Sequence, residues 1–169
     1  MLSTVGRVAP SVILGRVTTG RLSVGEFAFP GPLRDQLVAA ILSGAKTTTS
    51  GLLIGYERDR EPLPQAGDRW VVIDSAGEPA ALVEVVAVRV IRLADVDLAH
   101  AVGEGEGFGT VAEWRAAHEA FWHSDELRAE LGDPAFTVND DTPVVAEQFR
   151  LVAGEHLDLP ALLRQARDI

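Results

Sequence analysis

The sequence predicts an α+β fold: a small, curved or barrel-like mixed sheet with helices flanking it. Three observations carry that prediction. Extended apolar runs at residues 69–74, 80–93 and 143–152 read as the main strands. Helical periodicity appears at residues 33–41, 96–102 and 110–131, with a short stretch in the C-terminal tail. Strands and helices also fail to alternate in a βαβ rhythm, which sets the chain apart from doubly wound parallel folds. At 169 residues one domain with a real core is expected.

Residues 1–28 differ from the rest. They hold Arg7, Arg16 and Arg21 against Glu26 alone, so their net charge is +2 and the remainder carries −12. The apolar cluster Val12-Ile13-Leu14 is too short for a signal-peptide core of roughly 7–15 residues, and the basic, acid-poor composition only mimics a transit peptide. A flexible N-terminal extension is expected there. Leu33, Leu37, Ala40 and Ile41 then mark one face of a short helix, with Pro30 and Pro32 at its start and Gly44 at the left-handed position past its end. Thr47, Thr48 and Thr49 favour extended backbone, which Leu52-Leu53-Ile54 continues. Residues 56–67 are polar and proline-broken, so a surface loop is expected.

Residues 69–74 and 80–93, joined by a turn at 75–79, read as a hairpin. Asp95 can cap a helix over 96–102, and the loop GEGEGFG follows at 103–109. Thr110 and Glu113 form a T-x-x-E capping box for a helix that places Val111, Trp114, His118, Phe121 and Trp122 on one face and runs to about residue 131. Residues 132–141 read as irregular, 143–152 as the last strand, and Leu159, Leu162 and Leu163 as one face of a short helix. The expected organisation is an extension over 1–28, a domain over 29–153 and a C-terminal tail over 154–169.

Composition removes several function classes. There is no cysteine, so disulfide staples, thiolate zinc sites and cysteine nucleophiles are absent, and a reducing cytoplasm fits. No run approaches the ~18 apolar residues of a spanning helix, so no membrane partner is expected. A net charge of −10 opposes broad duplex nucleic-acid binding, which depends on many Lys and Arg contacts to phosphate. Any nucleic-acid contact should therefore be local, in a cleft. His100, His118, His123 and His156 show no metal-ligand spacing, and neither a metal nor a cofactor is expected.

The chemistry concentrates around ILSGAKTTTSG at residues 41–51. Regular pleating places Lys46 beside Thr48; pairing with Thr49 requires a turn at the lysine, which the helix exit at Gly44 can supply. The plainer reading is a lysine complementing a helix C-terminus and threonines suited to a strand. GEGEGFG has no G-x-G-x-x-G register, and Glu104 and Glu106 would repel phosphate, so it is no dinucleotide loop. It reads either as a solvated loop or as a device that brings a carboxylate into a cleft, where it can serve as general acid or base. Glu84 interrupts an apolar strand, facing either solvent or a basic partner such as Arg89, Arg92 or Lys46. Ser50 lacks a hydrolase elbow, and Trp114 at helical spacing reads as core.

Taken in order, SGAKTTTS after a helix, GDRWVVID, ALVEVVAV, EGEG before EWRAAHEAFW, and TPVVAEQFRLV resemble the ASCH domain family, relatives of the PUA-like fold. The resemblance covers about residues 29–152. It implies a small PUA-like β-barrel with a cleft beside the lysine segment, and an association with RNA or nucleosides. Some members are amidohydrolases on acylated cytidine, and others behave as ribonucleases. Carried over from the amidohydrolases, Lys46 is the proton acceptor, Thr49 the nucleophile and Glu106 the proton donor, with Glu104 the alternative donor. Those enzymes tend to have an arginine where this chain has Gly51. Thr48, Ser50, Glu84, Glu104, Trp114 and Arg150 are further candidates for contacting substrate.

The expected function is thus a hydrolase on a nucleoside or RNA, with a non-catalytic nucleotide or single-stranded RNA module and a ribonuclease as alternatives. One geometric criterion separates them. An ammonium acts as a base only after desolvation lowers its pKa, and carboxylates within ~5 Å oppose that. Glutamates against Lys46 therefore point to a binding or electrostatic role.

Overall fold

The computed structural model describes residues 22–28, 30–152 and 158–168. Five strands form one mixed sheet: β1 (Leu22–Gly25), β2 (Thr48–Leu52), β3 (Arg69–Ile73), β4 (Pro79–Arg92) and β5 (Pro143–Leu151), in the order β1-β3-β4-β5-β2. β1 runs parallel to β3, and every other pairing is antiparallel. The expected hairpin is β3–β4, turned at Gly77, whose φ of +80° suits glycine. β4 is long enough to pair with β3 over its first half and with β5 along its length, and a register shift between Val85 and Ala87 bends it.

A closed barrel was one expectation, and the sheet is open instead. Its two ends, β1 and β2, do not pair with each other. Residues at both strands, Gly25, Glu26 and Phe27 at β1 and Thr49, Ser50 and Gly51 in β2, line one cleft. We refer to this gap as the seam.

Among the described residues six α-helices flank the sheet: α1 (Pro32–Leu42), α2 (Leu53–Asp59), α3 (Leu98–Gly103), α4 (Val111–Trp122), α5 (Asp125–Leu131) and α6 (Leu159–Arg167). Under α1, Leu37, Val38 and Ile41 pack on Phe27, Trp70, Val83 and Phe149. The Phe27, Trp70 and Phe149 rings meet at centroid distances of 5.8–6.4 Å in tilted pairs, a favourable arrangement of their quadrupoles. On the other face Trp114, Trp122, Leu93, Val96 and Val144 form a second cluster, and α6 covers Val71, Ile73 and Leu82 through Leu163. Among the described residues no helix is long and apolar enough to cross a membrane.

The structure departs from the sequence reading in four places. Residues 22–28 lie inside the expected extension, yet β1 pairs with β3 and Phe27 is 3% exposed in the core. Residues 1–21 lie outside the described residues. Leu53–Asp59, read as strand end and loop, is α2, because Tyr56 turns inward to bury its ring and bond Glu147. Asp97 rather than Asp95 caps α3, accepting from the His100 N–H, while Asp95 pairs with Arg92. The capping box at Thr110 and Glu113 forms as expected, but the helix stops at Trp122. Ser124 then accepts from the Leu127 N–H and starts α5, breaking the run.

Candidate functional site

Lys46 sits where three elements meet. Gly44 exits α1 at φ +79°, and the chain is then pinned by Lys46 N–H donating to Ala40, Thr47 N–H to Gly103 and Phe149 N–H to Thr47. Because the Thr47 carbonyl faces β5, the Thr48 carbonyl faces outward along the free edge of β2. The Lys46 ammonium folds back onto that edge. Its Nζ donates to the Thr48 carbonyl at 3.0 Å and to the Glu104 carbonyl at 3.1 Å. Glu104 Oε2 and Glu106 Oε1 each lie 3.8 Å away, and the Phe27 ring centroid 5.6 Å. The residue is 1% exposed, and this cage of oxygens is what makes a buried ammonium tolerable.

Two glycines let the GEGEGFG loop press so closely. At Gly105, φ is +69° and an added Cβ would lie 2.8 Å from the Lys46 backbone. At Gly103 it would lie 2.9 Å from Thr48 Oγ1. The loop is thus neither solvated nor a phosphate cradle. It delivers both carboxylates, so the choice between Glu104 and Glu106 does not arise: each is an ion-pair partner of Lys46.

Glu104 is wholly buried and held from several sides. Its Oε1 accepts from Ser50 Oγ at 2.7 Å and from Trp114 Nε1 at 3.0 Å. His100 Nε2 lies 3.5 Å from Oε1, and His118 Nε2 lies 3.5 Å from Oε2. Burial pushes this carboxyl up, but the Lys46 charge and the bonds from His100 and His118 outweigh it and hold the group well below the usual carboxylate range. Glu104 is therefore an anion. Ser50, His100 and Glu104 superficially resemble a nucleophile triad, since Ser50 Oγ also meets His100 Nε2 at 2.7 Å. The polarity is wrong for one. The single serine proton goes to the carboxylate, so His100 must donate to Ser50 rather than take its proton.

Thr49 leaves the strand on the opposite face. Thr48 Oγ1 donates to the His100 carbonyl at 2.8 Å, on the α3 side with Ser50. Thr49 pairs across the sheet with Glu147 and opens into a cavity of about 20 Å³ at the seam, lined also by Phe27, Tyr56 and Trp70. Its Oγ1 is buried and has no hydrogen-bond partner among the described residues. Lys46 therefore meets the backbone carbonyl of Thr48 and makes no hydrogen bond to the hydroxyl of Thr49.

The structure gathers Lys46, Thr48, Ser50, Glu104, Glu106 and Trp114 into one buried assembly, with Thr49 across the strand from it. Glu84 and Arg150 lie apart. They form a cross-strand ladder with Arg69, in which Glu84 accepts from Arg69 at 2.9 Å and from Arg150 at 2.8 Å. Arg150 is 67% exposed. Glu147, Tyr56, Phe27, His100 and His118 are site residues that the sequence reading did not single out. Glu147 carried a usable signal, because the period-2 pattern of β5 sets it between buried Val145 and Phe149 on one face.

Comparison with known proteins agrees with this architecture. The chain superposes on the ASCH domain from Lactobacillus crispatus with a TM-score of 0.68 and 27% identity, covering 78% of this chain and 79% of that one. A protein from Enterococcus faecalis gives a TM-score of 0.66 at 24% identity, covering 82% and 79%, and shows the same fold. No curated protein matches the chain. The profile of the ASCH domain matches residues 26–153, so β2 with Lys46, the glutamate loop and β5 all fall inside it. This chain belongs to the ASCH domain family.

Proposed function

We propose that this chain binds a nucleoside, free or as an unstacked residue of single-stranded RNA, at the seam, and that it does so without turnover. The observation that carries the reading is the Thr49 hydroxyl, buried and without a hydrogen-bond partner among the described residues, in a cavity walled by Phe27, Tyr56 and Trp70. A buried hydroxyl left unsatisfied is costly unless a ligand or solvent completes it, and a polar group of a base can supply that partner. Lys46 supports binding over catalysis. Its Nζ is taken up by two carbonyls with two carboxylates 3.8 Å away, and it makes no hydrogen bond to the Thr49 hydroxyl. Its role is electrostatic: it fixes the glutamate loop against β2.

The amidohydrolase reading has one specific observation in its favour, the same Thr49 hydroxyl, three residues after Lys46 and free to attack an acyl group. It requires Lys46 to shed a proton inside its cage and reach Thr49. Titration calorimetry with cytidine, adenosine and a short single-stranded RNA, run beside incubation with acylated cytidines and with RNA, separates the readings. The binding reading expects saturable heat and unchanged acyl-cytidine and RNA. Release of the acyl group, lost in Thr49→Val and in Lys46→Met, would replace it with the hydrolase. RNA cleavage would replace it with a ribonuclease.

A further inference from the structure

The seam cavity has a polar floor whose chemistry selects among ligands. Thr49 and Glu147 are direct cross-strand partners, so their side chains leave one face with Cβ atoms about 5 Å apart. They are 5% and 1% exposed, and both line the cavity. Glu147 Oε1 accepts from the Tyr56 hydroxyl at 2.8 Å, which fixes the carboxylate in place, and a carboxylate has capacity for several donors. Thr49 Oγ1 has no partner among the described residues and can donate or accept. A volume of about 20 Å³ admits one water-sized group and no ring. The ring of a base must stay outside the cavity, while one polar corner enters. A phosphate or carboxylate there would meet Glu147 as like charge. A keto oxygen would set acceptor against acceptor. An amino group satisfies both requirements, because its size matches the cavity and it only donates.

We infer that the seam is an amino pocket: Glu147 accepts from the exocyclic NH₂ of a nucleobase, and the Thr49 hydroxyl donates to the ring nitrogen beside it. Cytosine and adenine carry that amine and acceptor side by side, whereas uracil and hypoxanthine carry a keto oxygen beside an N–H. The inference rests on the nucleoside reading and adds its ligand class, with Glu147 as the residue that discriminates.

The test uses matched pairs, cytidine against uridine and adenosine against inosine, titrated into the full chain by calorimetry. The amino member of each pair is expected to bind at least about tenfold tighter, the cost of leaving a buried carboxylate facing an acceptor. Glu147→Gln keeps an acceptor for Tyr56 but can turn its own amide NH₂ toward a keto oxygen, so each preference should fall to within about threefold. Thr49→Val should weaken cytidine while leaving the preference in place, because Glu147 remains. Equal binding within both wild-type pairs overturns the inference and leaves the nucleoside reading standing, as does a full preference retained in Glu147→Gln. If neither the four nucleosides nor a short single-stranded RNA binds, the nucleoside reading fails and this inference with it.

Discussion

Replacing Lys46 by methionine keeps the length of the side chain and removes its charge. Two carboxylates then lose a cation 3.8 Å away, and Glu104, wholly buried, has only neutral donors and two histidines left around it. At an effective dielectric of about 20 each of those attractions is about 4 kcal/mol before desolvation is set against it, and removing one member of a buried pair typically costs about 3–5 kcal/mol net. For a chain of this size that is a fall in Tm of roughly 6–20 °C. The pH dependence identifies the cause. In the wild type the Glu104 carboxyl is held low, so its contribution to stability is present above its unfolded pKa and lost as pH falls through the folded one. In Lys46→Met burial becomes the dominant influence and raises that carboxyl, so the variant gains a proton on folding and its stability declines as pH rises. The gap between the two proteins should therefore narrow from pH 8 to pH 5, and Lys46→Met with Glu104→Gln should recover much of the loss. Thermal unfolding followed by circular dichroism across that range reads both effects. A gap below about 2 °C, or one that does not change with pH, would refute the account of Lys46 as a caged counter-ion.

Three further outcomes follow from the geometry. Gly105→Ala places a Cβ 2.8 Å from the Lys46 backbone at φ +69°, whereas Gly107→Ala at φ +87° meets nothing within 4 Å. The first should cost more than about 2 kcal/mol and the second only about 1, the strain alone, by urea denaturation with unchanged m-values. Thr49→Val replaces an unsatisfied hydroxyl by a methyl group, so the free protein should be as stable or up to about 1 kcal/mol more stable while nucleoside affinity falls; a destabilisation above that would mean the hydroxyl is bonded. Glu84→Gln weakens a ladder with solvent-exposed arginines, so the unfolding midpoint should move by less than about 2 °C and nucleoside binding should not change. A loss of binding there would return Glu84 and Arg150 to the site.

Much of the fold is legible because it depends on local pattern. The β3–β4 hairpin follows from two apolar runs about a glycine turn, and the start of α4 from a side chain that completes its own helix end. The failures occur where distant partners decide. Leu53–Asp59 has no apolar face of its own, and it becomes helix because Tyr56 finds Glu147 ninety-one residues away. Phe27 lies in a segment of uninformative composition and reaches the core through Trp70, Phe149 and the underside of α1. Whether a curved sheet closes depends on how its first and last strands meet, which no single segment encodes. The site divides in the same way. Lys46 and the two loop glutamates were identifiable from their surroundings, and the meeting of all three is a tertiary fact. Pleating sets Thr48 and Thr49 on opposite faces, and the contact Lys46 makes is to the Thr48 backbone carbonyl. Glu147 was readable from the alternation of β5, but its cross-strand pairing with Thr49 and its bond from Tyr56 are tertiary facts.

An outermost strand ordinarily presents a row of unsatisfied backbone groups that a second chain can extend into a larger sheet. Surface lysines are a common defence, since their charge must be desolvated before another strand can dock. Here a lysine from the same chain lies along the rim of β2 and occupies the outward Thr48 carbonyl directly. The group that anchors the glutamate loop is thereby also a stopper against intermolecular strand addition. A variant without it would lose solubility as well as stability, through one of the two rims that border the seam.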